Sequence, residues 1–281
     1  MSDRDEAVEL VVTGRWTATA RAAVLAGEVD RVVLNYALGF DEPSLTFLQE
    51  LPVRELVILD PRLSDLEPIH SLGSTLRALC VTTNPGLRLD LGKLPGLRTL
   101  RAAWPQVSAS IETASNVQVA FLRAYKPVDL TPLAAWSNLA ELEMKDRPKL
   151  KSLAGLAAFP ELRKLGVYLA KDLREINALA DRSEITDLAL QACRQIERID
   201  ALSGCTGLRR LDLSECGDIA SLNPLRHLTR LERISLFGST KITDNDLSPL
   251  AELPRLQSLR MQGRRSYLPS VHEIQSKLPR G

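Results

Sequence analysis

Residues 208–230 read LRRLDLSECGDIASLNPLRHLTR, and residues 231–255 read LERISLFGSTKITDNDLSPLAELPR. Both open with an apolar residue, two polar ones, an apolar one, one polar and another apolar. The phrase recurs upstream as ITDLALQAC from Ile185, LRKLGVYLA from Leu162, LAELEMKDR from Leu139 and VQVAFLRAY from Val117. Further copies are LRTLRAAWP from Leu97, LRALCVTTN from Leu76, VRELVILDP from Val53 and VDRVVLNYA from Val29, and a last one, LQSLRMQGR, starts at Leu256. Successive starts lie 24, 23, 21, 20, 22, 23, 23, 23, 23 and 25 residues apart. A fixed period in this range is the mark of a solenoid, in which each repeat is one supersecondary unit that buries its apolar side only against its neighbours.

Within each copy the polarity alternates, which is a strand pattern that sends successive side chains to opposite faces. Counting the first apolar residue as position 1, positions 4 and 6 point into the core and positions 3, 5 and 7 point out. This predicts strands at 31–35, 56–59, 78–81, 99–102, 119–123, 141–145, 164–168, 187–191, 210–214, 233–237 and 258–262. The returning halves, such as DIASLNPLRHLTR, are too short for long helices and predict turns and 3-10 pieces. Stacked strands make one parallel sheet. Parallel sheets are ordinarily covered on both faces, yet nothing in the sequence is left over to cover the second one. That open face is the expected working surface.

Bulk composition agrees. Aromatic residues are 4% and hydrophobic residues 44%, as expected of a core of stacked Leu and Ile. A balance of 36 basic against 35 acidic residues, net +1, argues against a broadly basic nucleic-acid footprint. No apolar run approaches the roughly 18 residues of a membrane span. The start, MSDRDEAVEL, lacks a signal-peptide pattern, so the reading is a cytoplasmic, soluble, monomeric chain without cofactor.

A solenoid exposes core at its ends and needs closure there. The sequence divides into an N-terminal strand-helix cap at 1–28, the solenoid at 29–263 and a C-terminal cap or tail at 264–281. In the first, AVELVV at 7–12 predicts a strand and Thr17 caps a short helix, TATARAAVLA, that ends at Gly27, with Trp16 covering the core edge. In the last, Leu268, Val271 and Ile274 are expected over the final rung, ahead of a frayed basic tail.

No residue set points to catalysis or a metal. Cys193 and Cys216 both fall at position 9, a turn slot, Cys205 sits at a core position and Cys80 at an outward one, and no CxxC occurs. His70, His227 and His272 lie in different repeats, and His272-Glu273 lacks the second His of a zincin. GxSxG, GxxxxGK[ST] and a strand-borne GxGxxG are all missing. The chain reads as non-enzymatic, with catalytic, cofactor and metal residues all none.

The LxxLxL core with PLxxL phrases behind it, as in LNPLRHL and LSPLAEL, resembles the leucine-rich repeat superfamily over nearly the whole length, and the internalin and phosphatase-regulator class of repeats in particular. More narrowly, VVLNYALGF with SLTFLQELP, IHSL at 69–72 and DNDLSPLAELPRLQSL with GRRSY resemble stand-alone bacterial, cytosolic members of unassigned activity. The resemblance implies an α/β solenoid, an arc or horseshoe with its sheet on the concave side, and protein binding by that concave face.

The outward ladder concentrates aromatic and Arg residues, which dominate interface energetics, around its middle. The candidate partner-binding residues are Arg101, Phe121 and Glu143 at position 5, Arg123, Lys145 and Tyr168 at position 7, and Trp104 and Tyr125 just past their strands. The repeat is least regular there, between Ala102 and Tyr125, where Ala102 and Ala120 replace core Leu. Either Trp104 and Phe121 face solvent as part of a site, or they swing inward to fill the space left by the small residues. Trp136 and Phe159 read as core. Arg182 occupies the equivalent slot and is expected to snorkel outward or to mark a register shift. The partner is expected to be a protein, in the manner of a scaffold, an inhibitor or an immunity-type partner of a toxin. The alternative is nucleic acid on the Arg-rich later rungs, through Arg209, Arg210, Arg230, Arg233, Arg255, Arg260, Arg264 and Arg265.

Overall fold

The computed structural model describes residues 8–279, so Ala7, at the start of the expected first strand, and the end of the expected tail lie outside the described residues. The chain packs as two units, Met1–Leu122 and Arg123–Gly281. Strands begin and end within a residue or two of the periodic reading in both, because a face buried on one side leaves only one register in which the apolar set is inside.

In the first unit β1 (Glu9–Val12) leads to helix α1 (Ala18–Leu25), and then to β2 (Arg31–Asn35), β3 (Glu55–Leu59), β4 (Ala78–Thr82) and β5 (Thr99–Ala103). The strands pair in parallel in chain order, with Val32, Leu56, Leu79 and Leu100 in register at position 4. These residues, and Leu34, Ile58, Val81 and Ala102 at position 6, are buried. The 3-10 turns Thr46–Leu48, Glu67–Leu72 and Leu91–Lys93 bring the chain back between strands. The Thr17 hydroxyl accepts the Ala20 N–H at 3.1 Å, as an N-cap should, and Gly27 reverses the chain with φ +70°. Trp16 stacks on Phe47 at 4.6 Å.

The irregular stretch after β5 folds as helix α2 (Trp104–Val107) and a 3-10 segment, Ser108–Thr113. Its buried Gln106 accepts the Ala103 N–H at 3.1 Å and donates to the Thr83 hydroxyl at 2.9 Å, so the polar amide is satisfied inside. Strand β6 (Val119–Arg123) follows, with Ala120 and Leu122 buried, and the unit boundary falls inside it.

The second unit carries β7 (Glu141–Lys145), β8 (Lys164–Tyr168), β9 (Asp187–Gln191) and β10 (Arg210–Asp212). Next come the short β11 (Asp218–Ile219), then β12 (Arg233–Leu236), the short β13 (Lys241–Ile242), helix α3 (Ser248–Ala251), β14 (Ser258–Met261) and helix α4 (Val271–Lys277). Strands β7, β8, β9, β10, β12 and β14 form a parallel ladder in that order. On the returning side β11 and β13 make a second, two-stranded parallel ladder that the periodicity did not announce. Trp136 and Phe159 are fully buried, as read from their slot.

Two expectations fail. Arg182 neither snorkels nor shifts the register. It stays 7% exposed and donates from Nη1 to the Leu156 carbonyl at 2.9 Å and from Nη2 to the Phe159 carbonyl at 2.5 Å, with Glu184 3.5 Å from its Nε. A turn of the preceding rung thus offers the acceptors that let a charge occupy a leucine slot. At the far end Leu268 is 74% exposed, while Tyr267, Val271 and Ile274 are buried. The Tyr267 hydroxyl accepts the Ile242 N–H at 3.1 Å, which gives the larger ring a reason to take the inward place.

Candidate functional site

Positions 3, 5 and 7 of each rung form the open face, since 4 and 6 are committed to the core. In the first unit Arg101 is exposed and lies over the half-buried Phe121 ring at 5.9 Å from its centroid. Phe121 stands between buried Ala120 and Leu122, so it points outward and the small neighbour does not draw it in. Trp104 does go in. It is 8% exposed at the start of α2, where the missing leucine volume beside Ala102 and Ala103 is filled by its indole, so its side chain belongs to the core and not to the open face.

In the second unit Arg123 is half-buried at the end of β6. Tyr125 is 0% exposed, its hydroxyl donating to the Asp129 carbonyl at 2.8 Å, and burial pushes its phenol well above the usual range. The expectation that Tyr125 stands at the height of the open face is therefore corrected. Counted from Val117 it occupies position 9, the same slot as Cys193 and Cys216, and that count is the signal that places it inside. Glu143 pairs with Lys164 at 2.8 Å, and Lys145 lies 4.9 Å from the Tyr168 ring. Tyr168 lies across Gly166, where an added Cβ would sit 2.8 Å from the ring. A glycine at that outward place is what lets the phenol lie down on the sheet.

Beyond Tyr168 the outward position 5 carries Gly166, Ala189, Asp212 and Ser235, all short. The result is a hollow of ≈ 370 Å³ over β8, β9, β10, β12 and β14. Tyr168 and Lys164 stand at one end and Arg260 at the other, with Asp187, Arg210 and Arg233 along one side. The reading from sequence, drawn to the larger side chains upstream, passed over this place. Four short residues in a row at position 5 were the available clue. Arg210 Nε bonds Asp187, and the Arg260 guanidinium carbon lies 4.6 Å from the centroid of the Phe237 ring. Arg209 pairs with Glu232 at 3.6 Å. Arg209 and Arg210 are thus partly neutralised by carboxylates on the adjacent rungs.

Chemistry is sparse elsewhere. The four cysteines are free thiols. The Cys193 Sγ donates to the Val167 carbonyl at 3.6 Å and the Cys216 Sγ to the Leu190 carbonyl at 2.8 Å, each reaching the preceding rung. Burial pushes the Cys193 thiol up to about 12, and those of Cys205 and Cys216 up to about 11. Such thiols are poor nucleophiles at neutral pH. Among the described residues no group of three or more His, Cys, Asp and Glu is placed to hold a metal ion, and no helix is long and apolar enough to cross a membrane.

No known family model matches the chain, and no curated protein matches it either. Solved structures do. An internalin (InlF) from Listeria monocytogenes aligns with TM-score 0.66 at 18% identity, over 97% of this chain and 86% of its own. The Toll–Spatzle complex of Drosophila aligns with TM-score 0.58 at 16% identity, over 76% of this chain and 32% of that one. The TLR13–ssRNA13 complex aligns with TM-score 0.55 at 18% identity, over 90% of this chain and 44% of that one. At such identities the likeness is one of fold.

Proposed function

From the leucine-rich repeat fold it shares with internalins and Toll-like receptors, we propose that this protein is a non-catalytic interaction scaffold or inhibitor that binds a protein partner on the open face of its sheet. One observation carries the reading. The face presents aromatic rings with cations over them, Phe121 with Arg101 in the first unit, and Tyr168 with Lys145 and Phe237 with Arg260 in the second. Large flat side chains with little rotamer freedom left to lose are the ones that yield binding energy. The proposed contact residues are Arg101 and Phe121 in the first unit and Arg123, Glu143, Lys145 and Tyr168 in the second. An immunity-type partner of a toxin is the sharpest form of this role.

Affinity capture from the native cell, followed by calorimetry on the purified pair, tests it. Tyr168→Ala is expected to weaken binding by about 2 kcal/mol with little change in melting temperature, because an outward ring on an open face buries less on folding than a core ring does. Phe121→Ala is expected to behave alike and to stay well short of the ~3–5 kcal/mol stability loss of a core aromatic truncation. A large stability loss in either variant with binding unchanged would make these rings packing residues and sink the reading.

A further inference from the structure

The hollow in the second unit narrows the partner's chemistry. Resting on the interaction reading above, we propose that it captures an extended, carboxylate-bearing segment of the partner protein, whose acidic side chains meet Arg233 and Arg260 while Asp212 accepts its backbone N–H.

Shape comes first. The floor consists of Gly166, Ala189, Asp212 and Ser235 on four consecutive rungs, bounded by the ring of Tyr168 and by Arg260. At about 4.8 Å per rung that run is some 15 Å long, the reach of four or five extended residues. A volume of ≈ 370 Å³ suits a few side chains rather than a folded surface.

Charge decides the occupant. Lys164 is already engaged by Glu143 at 2.8 Å and Glu141 at 3.6 Å, and Arg210 by Asp187. Arg233 holds the same strand position one rung on from Arg210, is exposed, and has no ion-pair partner among the described residues. Arg260 has its guanidinium carbon 4.6 Å from the centroid of the Phe237 ring and no ion-pair partner among the described residues, so its N–H donors are not taken up by a carboxylate. The lining holds Lys164, Arg210, Arg233 and Arg260 against Asp187 and Asp212, an excess of two positive charges on a chain whose whole net charge is +1. The positive excess is local, and two arginines in it are available for carboxylates.

The same lining disfavours a nucleic-acid strand. Asp212 takes the Ser214 N–H on one oxygen at 2.8 Å and has capacity for further donors. A peptide brings N–H groups to meet it. A phosphodiester backbone brings none and would sit against the carboxylates of Asp187 and Asp212.

The test is selection of a random-peptide display library on the full chain, with the Arg233→Glu/Arg260→Glu variant as counter-target. Recovered peptides are expected to be enriched in Asp and Glu. A synthetic representative should bind the full chain by fluorescence anisotropy and weaken about tenfold or more on the double variant. Arg233→Gln/Arg260→Gln should give an intermediate loss, and serves in its place if the Glu pair perturbs folding. Peptides without acidic bias, bound equally by both proteins but lost on Tyr168→Ala, would overturn this proposal and leave the interaction reading standing. Oligouridine that binds the chain and is released by the double variant, with no acidic peptide recovered, would turn the hollow into a nucleic-acid site. Recovery of no peptide and no RNA binding overturns this proposal and leaves the interaction reading to the capture experiment.

Discussion

Position 8 of six successive rungs, those that start at Val117, Leu139, Leu162, Ile185, Leu208 and Leu231, turns through the left-handed region: Ala124 at φ 52°, Asp146 at 60°, Leu169 at 63°, Ala192 at 56°, Glu215 at 59° and Gly238 at 74°. The turn keeps the ladder intact, since the Leu169, Ala192 and Glu215 N–H groups still donate to the next rung's carbonyls at 2.8–2.9 Å. Only glycine adopts this conformation without a steric cost from Cβ. Ala192→Gly is therefore expected to raise stability by up to about 1 kcal/mol, read from urea unfolding. Gly238→Ala should lower it, because its Cβ would run into the Glu215 carboxylate that accepts the Ser239 N–H. The buried thiols add a pH dependence. Their folded pKa values lie above the unfolded one, so the unfolded chain loses protons first and stability falls as pH rises from about 9 toward 11. Each thiol contributes at most about 1.4 kcal/mol per pH unit in that window. Thermal unfolding scans at rising pH should show the decline, and Cys205→Ala should make it shallower. Native alkylation of Cys193 and Cys216 should be slow at neutral pH; fast labelling of both would contradict their burial.

Among elements, α4 shows most plainly how an end is closed. Ser270 accepts the Glu273 N–H at 3.2 Å while the Glu273 carboxylate accepts the Ser270 N–H at 2.6 Å, a reciprocal cap that starts the helix. The S-x-x-E spacing of Ser270 and Glu273, just ahead of Ile274, is a start signal that the sequence itself carries. Once formed, the helix places Val271 and Ile274 inside and sends Gln275 Nε2 to the Leu259 carbonyl at 3.0 Å, on the outer edge of β14. An unpaired strand edge invites pairing with another chain. Ser270→Ala should cost about 1 kcal/mol, and it should speed hydrogen exchange in β14 and increase self-association at high concentration. Unchanged exchange there would separate the cap from the protection of that edge. Helix α2 is the opposite case. Its stretch lacks the PLxxL phrase, and no local pattern in WPQVSASIETASN announces that Trp104 and Gln106 will be buried together.

For the whole molecule, stability is to first order a sum of rung and interface terms. Deleting residues 1–28 removes β1 and α1 and uncovers the edge of β2, and a lower melting temperature with aggregation is the expected result. A variant as stable as the full chain would show that the first rung needs no cover. The rungs themselves were legible because period-2 alternation and a repeat of about 23 residues leave few registers in which Leu, Ile and Val are all inside. That argument placed Leu142, Leu165, Leu188 and Leu211 correctly without any knowledge of their neighbours in space.

By itself the sequence determined the architecture, the strands, the inward positions and the existence of an open face. Each follows from a one-dimensional pattern that only one kind of packing can bury. Tertiary structure decided everything that depends on what stands on the adjacent rung. Arg182 stays inside because the Leu156 and Phe159 carbonyls are there to receive it. Trp104 is core because its own neighbourhood lacks volume, whereas Phe121, beside an equally small Ala120, faces out under Arg101. The hollow over Gly166, Ala189, Asp212 and Ser235 exists because residues about 23 apart in sequence are stacked a few ångströms apart in space. A cavity is a property of neighbours, and in a solenoid the neighbours that matter are one full turn away.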